Sequence, residues 1–163
     1  FWDTPGHARH HFCILDHLTR SIFTGDSFGL SYREFDHNDQ VFILPTTSPV
    51  QFDPDEMKTT IQRIANFQPK AVYLTHFSRL DYRESLAEDL LSMVDAHAEI
   101  GQQAAKLEKT LKLQQIKRDL WGLLWKEAQK RSCPLNENQA QQLLALDWEL
   151  NARGLVSWLE RTA

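Results

Sequence analysis

The stretch WDTPGHARHHFCILDHLTRSIFTGDSFG, residues 2–29, decides how this chain reads. Four of the chain's seven histidines lie in it, together with the Thr24-Gly25-Asp26 turn. Thr4-Pro5-Gly6 predicts a tight turn, because Pro presets one backbone angle and Gly tolerates positive φ. His7 is then presented from a loop ahead of a strand. Phe12, Ile14 and their neighbours make residues 10–16 a strand. Asp16-His17-Leu18-Thr19 supplies a turn, and residues 20–24 form a second strand that stops at Gly25. The pattern predicts a hairpin aimed at the loop after Thr24, where Gly25 allows a sharp turn and Asp26 projects its carboxylate.

Working outward, Val41-Phe42-Ile43-Leu44 reads as a third strand closed by Pro45. Asp53, Pro54 and Glu56 form an N-terminal helix signal of N-cap, first-turn proline and capping box. Met57, Ile61, Ile64 and Ala65 give that helix an apolar face, and it ends near Phe67. Residues 71–74 form a fourth strand with His76 just beyond its C-terminal end. Strand, helix and strand in this order predict a right-handed βαβ unit. From Tyr82 the chain turns helical. Leu86, Leu90, Met93, His97, Ile100, Ala104, Leu107 and Leu111 form a heptad-like seam. Its phase then shifts to Leu113, Ile116, Leu120 and Leu123, with Trp121 and Trp125 beside them, which predicts a bend near 110–112. Ser132-Cys133-Pro134 is a break, a last helix spans 136–152, and Gly154 closes it. The expected fold is α/β, in α+β layers, with a layered sheet over 1–81 and a helical region over 82–163.

The totals exclude several functions. At 163 residues the chain is one domain or a large piece of one. Net charge is −4 and no Lys/Arg block stands out, so no nucleic-acid footprint is expected. The longest apolar runs are strand-length, far below the ~20 residues of a membrane span. No basic-then-apolar leader is visible. Cys13 and Cys133 are too few and too far apart for a disulfide framework, so reduced thiols and a cytoplasmic location are expected.

The chemistry converges on three groups. His7, Asp26 and His76 each fall at a loop or strand end of one sheet edge, and ligands of α/β sheets bind beyond the carboxyl ends of strands. His and Asp ligate zinc, iron or manganese alike. Each residue taken singly also serves as a turn residue, an N-cap or a partner for a carbonyl. No Cys-x-x-Cys or His-Glu-x-x-His spacing forces a metal reading.

TPGHARHH (4–11), IFTGDSFG (22–29) and AVYLTHF (71–77), taken in order, resemble three consecutive motifs of the metallo-β-lactamase-fold superfamily, in its glyoxalase II-like hydrolase group. The resemblance covers about residues 1–80. It implies the C-terminal half of an αββα sandwich followed by a helical extension. It assigns His7 to a first metal, Asp26 to a bridge between both metals and His76 to the second. His11 is implied as a supporting residue and not a ligand. The implied cofactors are two divalent ions, zinc first, with iron or manganese as alternatives. The implied activity is hydrolysis of an ester, thioester, lactone or related bond in a small molecule by a metal-bound hydroxide that Asp26, as the catalytic carboxylate, orients. The family's earlier motif, His-x-His-x-Asp-His, is nowhere in this sequence. The chain is therefore expected to be a truncated fragment, inactive alone, whose partner is the missing N-terminal half.

Three further expectations follow. His97 stands at a seam position where an aliphatic residue belongs, either as a hydrogen-bonded core residue or lining the pocket. Asp81 and Ser78 are pocket-rim candidates, and Asp81 equally suits the N-cap of the long helix. A sheet lacking its second layer exposes apolar surface, which favours a homo-oligomer. The alternative to a hydrolase is a non-catalytic helical assembly module with a vestigial metal site. Retention of all of His7, Asp26 and His76 weighs against decay.

Overall fold

The computed structural model describes residues 1–47, 51–76 and 79–163. Ser78 lies outside them. Five strands form one sheet in sequence order: β1 (Trp2–Asp3), β2 (Phe12–Asp16), β3 (Ser21–Gly25), β4 (Ala71–Leu74) and β5 (Arg79–Asp81). Neighbours run antiparallel except β3 and β4, which are parallel. The β2–β3 hairpin closes where Asp16 pairs with Ser21. Its turn is held by the Asp16 carboxylate, which accepts from the Leu18 amide at 3.0 Å and the Thr19 hydroxyl at 2.6 Å.

A parallel pair needs a crossover, and α1 (Pro54–Phe67) supplies it. The Asp53 carboxylate accepts from the amides of Asp55 and Glu56, as its cap position requires. Met57, Ile61 and Ile64 are buried against the sheet. The helix ends on Gln68 in a left-handed conformation.

The crossover starts from β3, not from residues 41–44, which form no strand. Among the described residues their ladder contact is an isolated bridge between Leu44 and Leu30. Phe42, Ile43 and Leu44 are all buried, so their apolarity reflects burial and not sheet pairing. Side chains satisfy the backbone there instead: the Phe42 amide donates to Asp36 and its carbonyl accepts from Ser31. The short strands β1 and β5 carry too few residues to show a period in the sequence.

Three helices follow: α2 (Glu84–Ala104), α3 (Lys109–Lys130) and α4 (Glu137–Thr162). The heptad-like seam is cut at the end of α2. Leu107 and Leu111 are 39% and 55% exposed. Gly154 does not close the last helix but sits buried inside it, because Leu155, Val156, Trp158 and Leu159 continue its apolar face. Asp81 belongs to β5, and the N-cap of α2 is Arg83. Asn136 and Gln139 form a reciprocal capping box on α4. Ion pairs Lys109–Glu160 and a Trp121–Glu137 hydrogen bond show that α3 and α4 run antiparallel. Trp121 lies parallel to Trp125 and packs at a 49° tilt on Trp148, an aromatic anchor between these helices. Cys13 and Cys133 are free thiols. Among the described residues no helix is long and apolar enough to cross a membrane.

One core joins the sheet to the helices: Ile22, Val72 and Leu80 pack with Ile61 and Ile64 of α1, Leu90 and Val94 of α2, and Leu155 of α4. The helices therefore cover one face of the sheet. On the other face Phe12, Ile14 and Phe23 are 52%, 43% and 45% exposed. Ile14 lies opposite Phe23 and Phe23 opposite Tyr73, so the apolar stripe crosses three strands. Phe23 and Tyr73 stack at 4.6 Å.

Candidate metal centre

The parallel pairing of β3 and β4 places their C-terminal ends side by side, with Gly25 opposite Leu74. Asp26 follows one end and His76 the other. His76 Nε2 stands 3.4 Å from Asp26 Oδ1. The third group comes from the loop before β2. Gly6 there has φ +127, and an added Cβ would lie 2.3 Å from the Met57 Cα. The Gly6 carbonyl accepts from the Asp53 amide at 2.8 Å, and the Pro5 carbonyl from the Thr60 hydroxyl at 2.7 Å. The loop is thus pinned on the first turns of α1, and His7 Nε2 reaches to 3.7 Å from Asp26 Oδ2.

The protonation of His7 follows from its partners. Its Nδ1 lies 3.0 Å from the Thr46 carbonyl, which can only accept, so Nδ1 carries the proton. Nε2 therefore offers a lone pair towards Asp26. Burial holds the His7 pKa below its ordinary value, against the opposing effects of the Thr46 carbonyl and the Asp26 charge. The ring is neutral at neutral pH, as a metal ligand must be. Asp26 is held below the usual carboxylate range, first by His11 and then by the charges of His7 and His76, against its own burial. It is an anion at neutral pH.

His11 touches the same carboxylate from the strand side, with Nε2 3.5 Å from Oδ2. That nitrogen also accepts the Asp26 amide hydrogen at 3.2 Å. Protonated, it would turn an N–H to the carboxylate and leave the amide without its acceptor.

The donor set suits a divalent cation. Asp26 Oδ1 is buried and receives no hydrogen bond from the described residues. The unprotonated Nε2 of His7 and the ionised carboxylate face each other at 3.7 Å, an arrangement that suits a cation between them. Ligand atoms of His7, His11 and Asp26 all lie within 4.8 Å of one another. His76 borders this group and is half exposed, at 53% of its side chain. Zinc, iron and manganese all accept such donors.

The other sequence candidates lie elsewhere. His97 is fully buried in α2, its Nδ1 2.7 Å from the Met93 carbonyl. Asp81 is exposed and paired to Arg79 at 2.6 Å. It lies opposite Ala71, at the far end of β4 from His76, so it is not on the rim of this site. Two residues that sequence reasoning missed complete the surroundings: Thr46, which orients His7 and donates to the Asp26 carbonyl at 2.9 Å, and Ser27 behind His11. No spacing in the sequence marks Thr46. Ser27 directly follows the aspartate, which is the one cue available.

A cavity of about 380 Å³ adjoins the cluster. Its floor is the bare stripe of Phe12, Ile14, Phe23 and Tyr73, and His10 and His11 form its wall on the side of the cluster.

No family model matches the chain. It is 36% identical over 73 residues to the metallo-beta-lactamase fold-containing protein ST1585 of Sulfurisphaera tokodaii, a match covering 45% of this chain and 24% of that protein. Among solved structures it is similar to an archaeal metallo-beta-lactamase superfamily protein, ST1585 from Sulfolobus tokodaii, with TM-score 0.50 and 26% identity. That likeness covers 94% of this chain and 43% of the other. The chain thus spans less than half the length of the relatives it matches, and its fold is a metallo-β-lactamase fold.

Proposed function

We propose that this chain carries part of the centre of a metal-dependent hydrolase, in which His7, Asp26 and His76 hold divalent metal. The observation behind this is the Asp26 carboxylate, ionised, with one buried oxygen that no described residue hydrogen-bonds and imidazole nitrogens at 3.4 and 3.7 Å. Bound metal would supply Lewis acidity and an activated water at neutral pH. Asp26 lies between His7 and His76, so its carboxylate would be available as a ligand together with either ring. Thr46 holds His7 with its lone pair inward. The substrate class is an ester, thioester, lactone or related bond, and zinc is the first choice of metal.

Three side chains leave a catalytic metal short of ligands. The bare stripe beside them gives a reason: a second β layer of the same fold, carried by a complementary N-terminal half, packs on Phe12, Ile14, Phe23 and Tyr73 and brings the remaining donors. Without it, that apolar face favours self-association of this chain.

Zinc-binding calorimetry on the chain alone and after mixing with the N-terminal half tests this. Tight binding of about two ions only in the mixture is expected. Absence of metal binding by the reconstituted pair refutes the hydrolase reading and leaves a helical assembly module.

A further inference from the structure

We infer that Ser27 is a positioning residue: its hydroxyl accepts a hydrogen bond from the Nδ1–H of His11 and so turns the bare Nε2 of that ring to the Asp26 amide. The donors around the ring select its tautomer. A backbone amide can only donate, so His11 Nε2, accepting from Asp26 at 3.2 Å, carries no proton. The neutral ring then bears its proton on Nδ1, which lies 3.1 Å from Ser27 Oγ. Ser27 accepts there and donates its own hydrogen to Thr4, whose carbonyl and hydroxyl oxygens both lie at 3.1 Å. Ser27 and Thr4 are 1% and 0% exposed, so no water competes for these bonds. The Thr4 amide donates in turn to the His11 carbonyl at 2.9 Å, closing the ring of contacts.

The backbone reserves the space. An added Cβ at Gly25 would lie 2.1 Å from His11 Cε1, so the imidazole occupies the volume that a side chain there would fill. Gly25, Asp26 and Ser27 are consecutive, and each constrains the same ring: one by absence, one by its amide, one by its hydroxyl. His11 thereby fixes the start of the Asp26 turn from behind. On the metal-centre reading this sets the aim of the Asp26 carboxylate, but the tautomer itself is a property of the metal-free chain.

The test is long-range ¹H–¹⁵N correlation of the imidazoles in the chelator-treated chain, above the titration range of histidine. His11 is expected as the Nδ1–H tautomer, and an Nε2–H tautomer in the wild type overturns the proposal. In Ser27→Ala, the His11 ring should shift towards the Nε2–H form. The Asp26 amide should exchange with solvent about tenfold faster. Ser27→Thr, which keeps the hydroxyl, should restore both. A merely space-filling serine would leave the tautomer unchanged in Ser27→Ala, and that result also overturns the proposal. If Ser27→Ala does not fold, Ser27→Cys, whose thiol is a weak acceptor, takes its place with the same two readouts and the same outcomes. Because no metal is present, failure here is separable from failure of the hydrolase reading.

Discussion

Replacing His97 by Leu should stabilise this protein, and more so in acid. His97 is fully buried, and its Nε2 has no hydrogen-bond partner among the described residues. An unsatisfied buried acceptor costs about 1–3 kcal/mol, and the Nδ1 bond to Met93 returns about 1 kcal/mol. Leu is close in volume and removes both, for a net gain of about 1 kcal/mol at pH 8. The acid side adds more. Burial lowers the His97 pKa from 6.5 to about 4, with only the Met93 carbonyl opposing. The unfolded chain therefore binds a proton between these values that the folded chain refuses. Stability from this group is fully present above pH 6.5 and is lost as pH falls towards 4. At about 1.4 kcal/mol per pH unit, the wild type loses roughly 2 kcal/mol by about pH 5 through this residue alone. The variant loses none of it. Urea unfolding of both proteins at about pH 8 and pH 5 is the assay, since the other histidines titrate in both and cancel in the difference. The gap between variant and wild type should widen from about 1 to about 3 kcal/mol. Parallel pH dependences would refute the reasoning, because they would mean His97 is not held neutral by burial.

Gly25→Ala should lower stability sharply. Its φ of 53 with ψ −138 suits glycine, and the new Cβ would displace the His11 ring. The backbone alone costs about 1–3 kcal/mol, or a fall in Tm of roughly 2–12 °C for a chain of this size. An unchanged melting curve would contradict the close contact. Asn151→Ala should cost about 2–4 kcal/mol, because the Thr47 amide and the Pro45 carbonyl both lose a buried partner. It should also weaken metal binding, since the same loop carries Thr46 against His7. A stability loss below about 0.5 kcal/mol in urea unfolding would show that the loop is held by other contacts.

The local chemistry of the site was legible residue by residue. Thr-Pro-Gly before a His and Thr-Gly before an Asp are turn signals whose conformations follow from the residues themselves. Asp53 capping α1 and Asn136 capping α4 depend only on neighbours a few positions away. The hairpin, α1 and β4 were legible for the same reason. Val41 to Leu44 misled because a buried run looks alike whether or not it pairs in a sheet. Gly154 misled because the residues beyond it keep an apolar face that outweighs its local preference.

What only the tertiary structure decided are the contacts between distant residues. The parallel partner of β4 is β3, about fifty positions earlier, and that choice sets Asp26 beside His76. The Thr46 carbonyl, 39 positions from His7, selects the proton position of that ring. Asn151, more than a hundred positions away, holds the Thr46 loop in place. Nothing in the local sequence encodes such pairings, because they are settled by which apolar faces bury together. The sequence determined that histidines and an aspartate would stand at turns and strand ends. The packing determined which of their lone pairs face one another, and that one face of the sheet beside them is bare.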